Sequence, residues 1–331
     1  MDLVTGATGH IGNVLIRRLL AQGRRVRALV WRGEDTASIR DLPVEQVEGD
    51  VLDPASLASA LKGVDTVYHL AGIISIMPGS HPLVWRVNVE GTQNVIAAAR
   101  RERVRRLVYT SSIHALQRIP HGVEMDESLP FDAENPYGDY DRSKAAASLE
   151  VQKAAREGLE AVIVCPTGVI GPFDFRGSEM GEVIRGAAEA KPMFYVEGAY
   201  DFVDVRDVAD GLVAAAEKGR PGEAYILGGH KISVRYLIET VREVTGKAFS
   251  SIKIPFSLAE FAARFTPWYY ARTKSKPRFT PYSLEVLQSN SDISHRKAER
   301  ELGFRPRPTI ETIADTVRWL FENRKRSSVR E

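Results

Sequence analysis

With 331 residues, 44% of them hydrophobic and 27% charged, the chain has the apolar material for about two domains and is not intrinsically disordered. Forty-five Lys and Arg stand against 43 Asp and Glu, a net charge of +2, which excludes a global field for nucleic acid and points to a small-molecule partner. One cysteine, Cys165, and seven scattered histidines give no disulfide and no metal-binding spacing. No apolar run approaches the roughly 18 residues of a membrane span and no leader pattern opens the chain, so a cytoplasmic protein with no membrane and no nucleic-acid partner is expected.

Up to residue 165, short β-branched runs alternate with segments of helical period, the pattern of βαβ units and a parallel sheet. Strands are predicted at 2–5, 25–31, 44–48, 66–70, 106–110 and 161–165, with helices at 11–22, 54–61, 83–101 and 136–156 between them. Asp53 is placed to cap the second helix, and Pro54 sits in its first turn. The fold class is therefore α/β, a doubly wound parallel sheet of Rossmann type over residues 1–165. From 166 to 323 the rhythm loosens into a smaller, mostly helical substrate lobe, with helices at 179–190, 205–218, 234–245 and 309–323 and some segments returning to the sheet. Residues 265–281 hold three prolines and read as an irregular cover over a pocket; 324–331 read as a polar tail.

The first strand runs straight into Thr5-Gly6-Ala7-Thr8-Gly9-His10-Ile11-Gly12, a GxxGxxG loop opening a helix. Such glycines permit a tight turn and let backbone N–H groups approach a pyrophosphate, whose charge the helix dipole stabilises. A strand before and an amphipathic helix after are the context of dinucleotide binding, and Gly6 through Gly12 are candidate cofactor contacts. A site for NAD commonly ends its second strand on a carboxylate that takes both ribose hydroxyls. Here that strand ends Leu29-Val30-Trp31-Arg32-Gly33, with Glu34 and Asp35 following. Arg32 can pair with a 2′-phosphate, so NADP is expected over NAD. Asp50 and Val51, after the third strand, are placed to reach the adenine edge, although a strand-end cap reads the same way.

In helix 136–156, Tyr140-Asp141-Arg142-Ser143-Lys144 sets a phenol and an ammonium one turn apart. A neighbouring lysine favours ionisation of a phenol whose ordinary pKa is ~10, fitting it to exchange a proton with a hydroxyl or carbonyl. Thr110-Ser111-Ser112 ends the fifth strand, where a serine hydroxyl at the sheet's carboxyl edge can hold the substrate oxygen.

The glycine loop, His69-Leu70-Ala71-Gly72, Thr110-Ser111-Ser112, the Tyr140/Lys144 pair and Cys165-Pro166-Thr167-Gly168-Val169-Ile170-Gly171-Pro172 stand in family order and spacing. The chain resembles, over nearly its whole length, the extended short-chain dehydrogenase/reductases of the NAD-dependent epimerase/dehydratase family. The resemblance implies Tyr140 as general acid/base, Lys144 holding the nicotinamide ribose and lowering the Tyr140 pKa, and Ser112 polarising the reacting oxygen. It implies Leu70, Ala71 and Gly72 lining the cofactor, and the backbone of Pro166, Thr167 and Val169 near the nicotinamide. Tyr137 and Ser111 are near alternatives, but only Tyr140 has a lysine four residues on. The resemblance also implies a homodimer through a four-helix bundle of helices 83–101 and 136–156.

Motif style is closest to the dihydroflavonol reductase and 3β-hydroxysteroid dehydrogenase-like members. Thr167 stands where sugar-nucleotide epimerases often carry asparagine, and the aromatics of 256–282, among them Phe261, Phe265, Trp268 and Tyr282, suit an apolar pocket. The expectation is an oxidoreductase that interconverts a carbonyl and an alcohol on a small hydrophobic substrate. The alternatives are a nucleotide-sugar epimerase/dehydratase with tightly bound NAD, for which Arg264, Arg272, Lys274, Lys276 and Arg278 could clamp a diphosphate, and a non-catalytic NADP sensor. His69, His114, His230 and Cys165 read as structural or surface residues, and Asn88 as a tie between a helix and the neighbouring strand.

Overall fold

The computed structural model describes residues 1–75, 81–273 and 280–328. Six strands, β1 (Asp2–Thr5), β2 (Val26–Val30), β3 (Glu45–Glu48), β4 (Thr66–His69), β5 (Arg106–Thr110) and β6 (Ala161–Pro166), fall on the six predicted runs. Between them lie α1 (His10–Ala21), α2 (Pro54–Ala60), α3 (Pro82–Trp85), α4 (Gly91–Arg101) and α5 (Asp139–Arg156). Asp53 caps α2 by accepting the Ala55 N–H, with Pro54 in the first turn. The helix predicted over 83–101 is α3 and α4 joined by a π-helical turn at Arg86–Glu90. Asn88 lies in that turn; its amide accepts from Ile73 N and donates to Ile73 O and Ser143 Oγ, tying the chain after β4 to α5.

Past residue 166 the chain lays down β7 (Gly168–Ile170), α6 (Glu179–Ala188), β8 (Met193–Val196), β9 (Ala199–Asp204), α7 (Val205–Lys218), β10 (Ala224–Leu227) and β11 (His230–Ser233). It then forms α8 (Val234–Thr245), β12 (Ser251–Ile254), α9 (Phe256–Ala263), α10 (Thr266–Thr273), α11 (Pro281–Gln288), α12 (Arg296–Leu302) and α13 (Thr309–Ser328). The irregular cover expected over 265–281 is thus partly helical, because Pro267 and Pro281 both fall in first turns, where a missing N–H costs nothing. Helix α13 likewise runs on into the expected tail.

The main sheet has seven parallel strands in the order β10-β6-β5-β4-β1-β2-β3. The seventh, β10, was not among the predicted strands: Ala224-Tyr225-Ile226-Leu227 is a four-residue apolar run too short to tell from a buried helix segment by period. Alternation along each strand feeds two cores. Leu3 joins Leu57, Leu61, Val95 and Val151 beneath α2, α4 and α5, whereas Val4 joins Leu15, Ile16 and Leu212 beneath α1 and α7. The C-terminal region is helical and carries two small sheets, β11-β9-β7 and β12-β8. Strand order reverses between β1 and β4, and the crevice at their carboxyl ends is where such a sheet receives a ligand.

Candidate active site

At the end of β1 the chain turns through Gly6 at φ +67°, the left-handed region glycine tolerates. A Cβ on Gly6 would lie 2.8 Å from the Ala71 backbone N, and one on Gly12 would lie 2.2 Å from the Gly6 carbonyl oxygen. Loop, helix and the chain after β4 therefore meet at distances that only glycine allows. Thr5 Oγ1 accepts the N–H groups of Leu70 (3.2 Å) and Ala71 (3.1 Å) and lies 2.8 Å from His69 Nδ1; His69 Nε2 is 3.0 Å from Thr92 Oγ1. Burial pushes His69 down to about 3, so this imidazole is a neutral brace. Gly9 begins α1 with no side-chain cap, which leaves the first-turn N–H groups facing out of a cradle shaped for a pyrophosphate. Ala7 is buried beneath the loop, Ile11 is half-buried, and His10 Nε2 donates to the Pro172 carbonyl at 2.9 Å.

At the outer end of the cradle, Thr8 Oγ1 donates to Glu34 Oε1 at 2.5 Å, and Glu34 Oε2 accepts the Trp31 N–H at 3.2 Å. Arg176 reaches both Thr8 and Glu34 from the segment after β7. A carboxylate following β2 thus faces the glycine loop, where a ribose diol would be read. Arg32 turns elsewhere: its side chain is 87% exposed and hydrogen-bonds Glu48 at 2.9 Å. Asp50 spends its carboxylate on the Leu52 N–H (2.9 Å), and Val51 is buried against Gly91 and accepts Asn94 at its carbonyl (3.0 Å). Arg32, Asp50 and Val51, predicted at the adenine end, thus have these partners within the protein.

The chemical end lies on α5 and the carboxyl edge of β5. Ser111 shares a hydrogen bond with Ser148 at 2.7 Å inside the core, whereas Ser112 Oγ accepts the His114 N–H at 3.2 Å. Tyr137 lies under the Arg118 guanidinium, 3.5 Å from ring centre to Cζ, away from the lysine. Lys144 Nζ donates to the Thr110 carbonyl (2.6 Å) and Tyr109 Oη (3.3 Å), and a Cβ on Gly72 would stand 3.6 Å from it. The ammonium is held by strand β5 rather than by the phenol, which corrects the expected lowering of Tyr140. Burial pushes Tyr140 up to about 12, opposed by the nearby Ser112 hydroxyl, and burial pushes Lys144 down to about 8. Cys165, also raised to about 12 by burial, is an inert core thiol. Pro166 ends β6, the Thr167 N–H donates to the Leu227 carbonyl (3.3 Å), and Val169 pairs with Val203 in β7, so this backbone runs along the same edge.

Five further residues surround Tyr140. Tyr200 Oη and His114 Nε2 share a hydrogen bond at 2.8 Å with their rings stacked, and Tyr282 lies 6.1 Å from the His114 ring. Tyr282 donates to the fully buried Asp141 carboxylate at 2.7 Å, and Arg118 closes the network on Asp141 at 3.0 Å. His114, read from sequence as structural, is a wall residue; its position two places after Ser112 was the available signal. Asp141, next to Tyr140 in the same motif, had such a signal too, whereas Tyr200 and Arg118 had none, since they come from separate segments without fixed spacing. Phe261, Phe265 and Trp268, expected in the pocket, are exposed to solvent, at 59%, 58% and 69%.

The NAD dependent epimerase/dehydratase family matches residues 3–228. Sterol demethylase protein B of Methylococcus capsulatus is 37% identical over 330 residues, covering 97% of this chain and 98% of that protein. The crystal structure of gox2253 superposes with a TM-score of 0.84 at 34% identity, covering 98% of both chains. MoeE5 in complex with UDP-glucuronic acid and NAD gives a TM-score of 0.74 at 25% identity, over 97% of this chain and 99% of that one. These findings overturn the expectation of NADP: the nucleotide of the family's description and of the MoeE5 complex is NAD. The geometry agrees, with Glu34 at the cradle and Arg32 in solvent.

Proposed function

The chain belongs to the NAD dependent epimerase/dehydratase family and is an enzyme with nicotinamide-dependent oxidoreductase activity, and from that premise we propose that it interconverts an apolar alcohol and its ketone, using NAD. The observation that carries this reading is the seating of α5 on the carboxyl edge of β5: Lys144 Nζ donates to the Thr110 carbonyl at 2.6 Å, one helical turn from Tyr140, and Ser112 follows two residues after Thr110. Bound NAD would supply hydride acceptance at its nicotinamide ring, with Gly6, Gly9 and Gly12 holding the pyrophosphate, Glu34 one ribose and Lys144 the other. Ser112 fixes the substrate oxygen. Tyr140, a phenol at neutral pH, gives its proton to a carbonyl oxygen on reduction and takes it back from the hydroxyl on oxidation. His114 and Tyr282 keep the opposite side aromatic.

Support for an apolar substrate comes from that wall and from the 37% identity with a protein named for sterol demethylation. Arg118 is committed to Asp141 and Glu285, which disfavours it as a diphosphate clamp for a nucleotide sugar. We also infer that the helical segment 83–101 and α5 pair with a second copy, since Trp85 of α3 and Leu149 of α5 are exposed. The functional test is NAD reduction against a panel of hydroxysteroids, aliphatic secondary alcohols and UDP-sugars. Turnover confined to the apolar alcohols is expected; turnover confined to UDP-sugars would overturn the substrate class.

A further inference from the structure

Glu34 is heavily engaged for a carboxylate that is to read a ribose. Its Oε1 accepts from Thr8 Oγ1 at 2.5 Å and from the Arg176 guanidinium at 2.6 Å, and its Oε2 accepts the Trp31 N–H at 3.2 Å. An ionised carboxylate offers about four acceptor positions, two on each oxygen. Among the described residues three of them are taken, which leaves one on Oε2. A ribose diol brings two hydroxyl donors. For Glu34 to accept both, one of its present partners must leave.

Exposure selects that partner. Trp31 belongs to the turn that carries Glu34, whose own N–H donates to the Trp31 carbonyl at 3.0 Å, and Thr8 is buried in the glycine loop. The Arg176 side chain is 53% exposed, so water can take over the hydrogen bonds it gives up. The backbone on either side of Arg176 is held in place. Pro172 offers its carbonyl to His10 at 2.9 Å and Phe173 its carbonyl to Asn13 at 3.2 Å. The Phe173 ring lies 4.7 Å from the Arg17 guanidinium, and Phe175 meets Trp319 of α13 edge to face at 5.2 Å. On the other side Gly177, at φ +63°, turns the chain into α6, whose cap Ser178 donates its N–H to Asp174 at 2.7 Å. With both flanks fixed, Arg176 parts from Glu34 by a swing of its side chain, and no loop has to open.

We infer that Arg176 is a gate residue of the cofactor site: its ion pair with Glu34 competes with the ribose of NAD, and NAD binds the form in which this pair is open. The inference rests on the reading of Glu34 as the ribose contact under Proposed function. The apparent affinity for NAD is lowered by the fraction of molecules whose pair is open. An ion pair with one half-exposed partner keeps that fraction substantial, so the lowering is about two- to fivefold.

Calorimetric titration of the full chain with NAD, with no substrate present, tests the gate. Arg176→Met should bind NAD about two- to fivefold more tightly than wild type, and the gap should close as added salt screens the pair. The thermal midpoint of the variant without NAD should stay within a few degrees of wild type, because the side chain is half exposed. In a Glu34→Ala chain the same substitution should leave NAD affinity within about 1.5-fold, since no pair remains to open. Weaker NAD binding by Arg176→Met, an unchanged affinity, or equal tightening in the absence of Glu34 would each overturn the inference. If Glu34→Ala alone leaves NAD affinity unchanged, the ribose assignment falls and the gate falls with it. If Glu34→Ala weakens NAD binding and Arg176→Met fails to tighten it, only the gate falls. The alcohol/ketone reading is decided separately, on the turnover panel.

Discussion

Lys144→Met should stabilise the fold while removing activity. The Lys144 side chain is buried, and its ammonium rests on two neutral oxygens, the Thr110 carbonyl and Tyr109 Oη. A lysine ordinarily near 10.5 is pushed down to about 8 by that burial, which corresponds to about 3 kcal/mol lost to the folded state while the group is charged. The unfolded chain keeps its proton up to about 10.5, whereas the folded chain releases it above about 8. Between those values the unfolded state binds more protons, so this contribution makes stability rise with pH, and below about 8 the penalty is complete. Methionine keeps the unbranched stem and removes the charge, but leaves the Thr110 carbonyl without its donor at a cost of about 1–2 kcal/mol. The net gain at pH 7 is about 1–2 kcal/mol, a rise of a few degrees in Tm. Thermal unfolding followed by circular dichroism at pH 7 and near pH 9.5 measures it: the variant should lead at pH 7, with the gap shrinking at the higher pH. A variant less stable than wild type at pH 7, or a gap independent of pH, would refute the reasoning.

Gly12→Ala would bring a Cβ to 2.2 Å from the Gly6 carbonyl oxygen, backbone against backbone; NAD binding by calorimetry should be lost and stability should fall by about 1–3 kcal/mol. Arg118→Met strips the fully buried Asp141 carboxylate of its cation and should cost about 3–5 kcal/mol in urea unfolding, part of which Asp141→Asn in the same chain should restore. Glu34→Ala should weaken NAD binding about tenfold or more, whereas Arg32→Ala should leave it within about twofold, because Arg32 is spent on Glu48. Equal effects of the two changes would remove Glu34 from the ribose site.

The sheet was legible because strands buried on both faces carry an apolar centre, as Leu3-Val4, Val67-Tyr68, Leu107-Val108 and Val162-Ile163-Val164 do in β1, β4, β5 and β6. Strand β10 was missed because four apolar residues carry no period, and only its pairing with β6 makes them a strand. The glycine loop was readable because backbone contacts at 2.2 and 2.8 Å leave no other residue possible. Arg32 misled because sequence records that a guanidinium follows β2 but not that Glu48 of the neighbouring strand holds it, nor that Glu34 folds back on Thr8. The lysine of the YxxxK pair lies one turn from the phenol as spacing requires, yet its direction is set by the Thr110 carbonyl, a contact between distant segments. The lobe aromatics show the same limit: composition counts Phe261, Phe265 and Trp268, and only the packing of Ala259 and Ala263 inward turns them out.

Tyr140→Phe keeps the ring and deletes the buried hydroxyl one helical turn from Lys144. Reduced-nicotinamide formation from NAD and the best apolar alcohol of the panel should fall at least about a hundredfold in the variant, with NAD affinity held within about twofold. Turnover that survives the loss of the hydroxyl would contradict the assignment of proton transfer to this phenol.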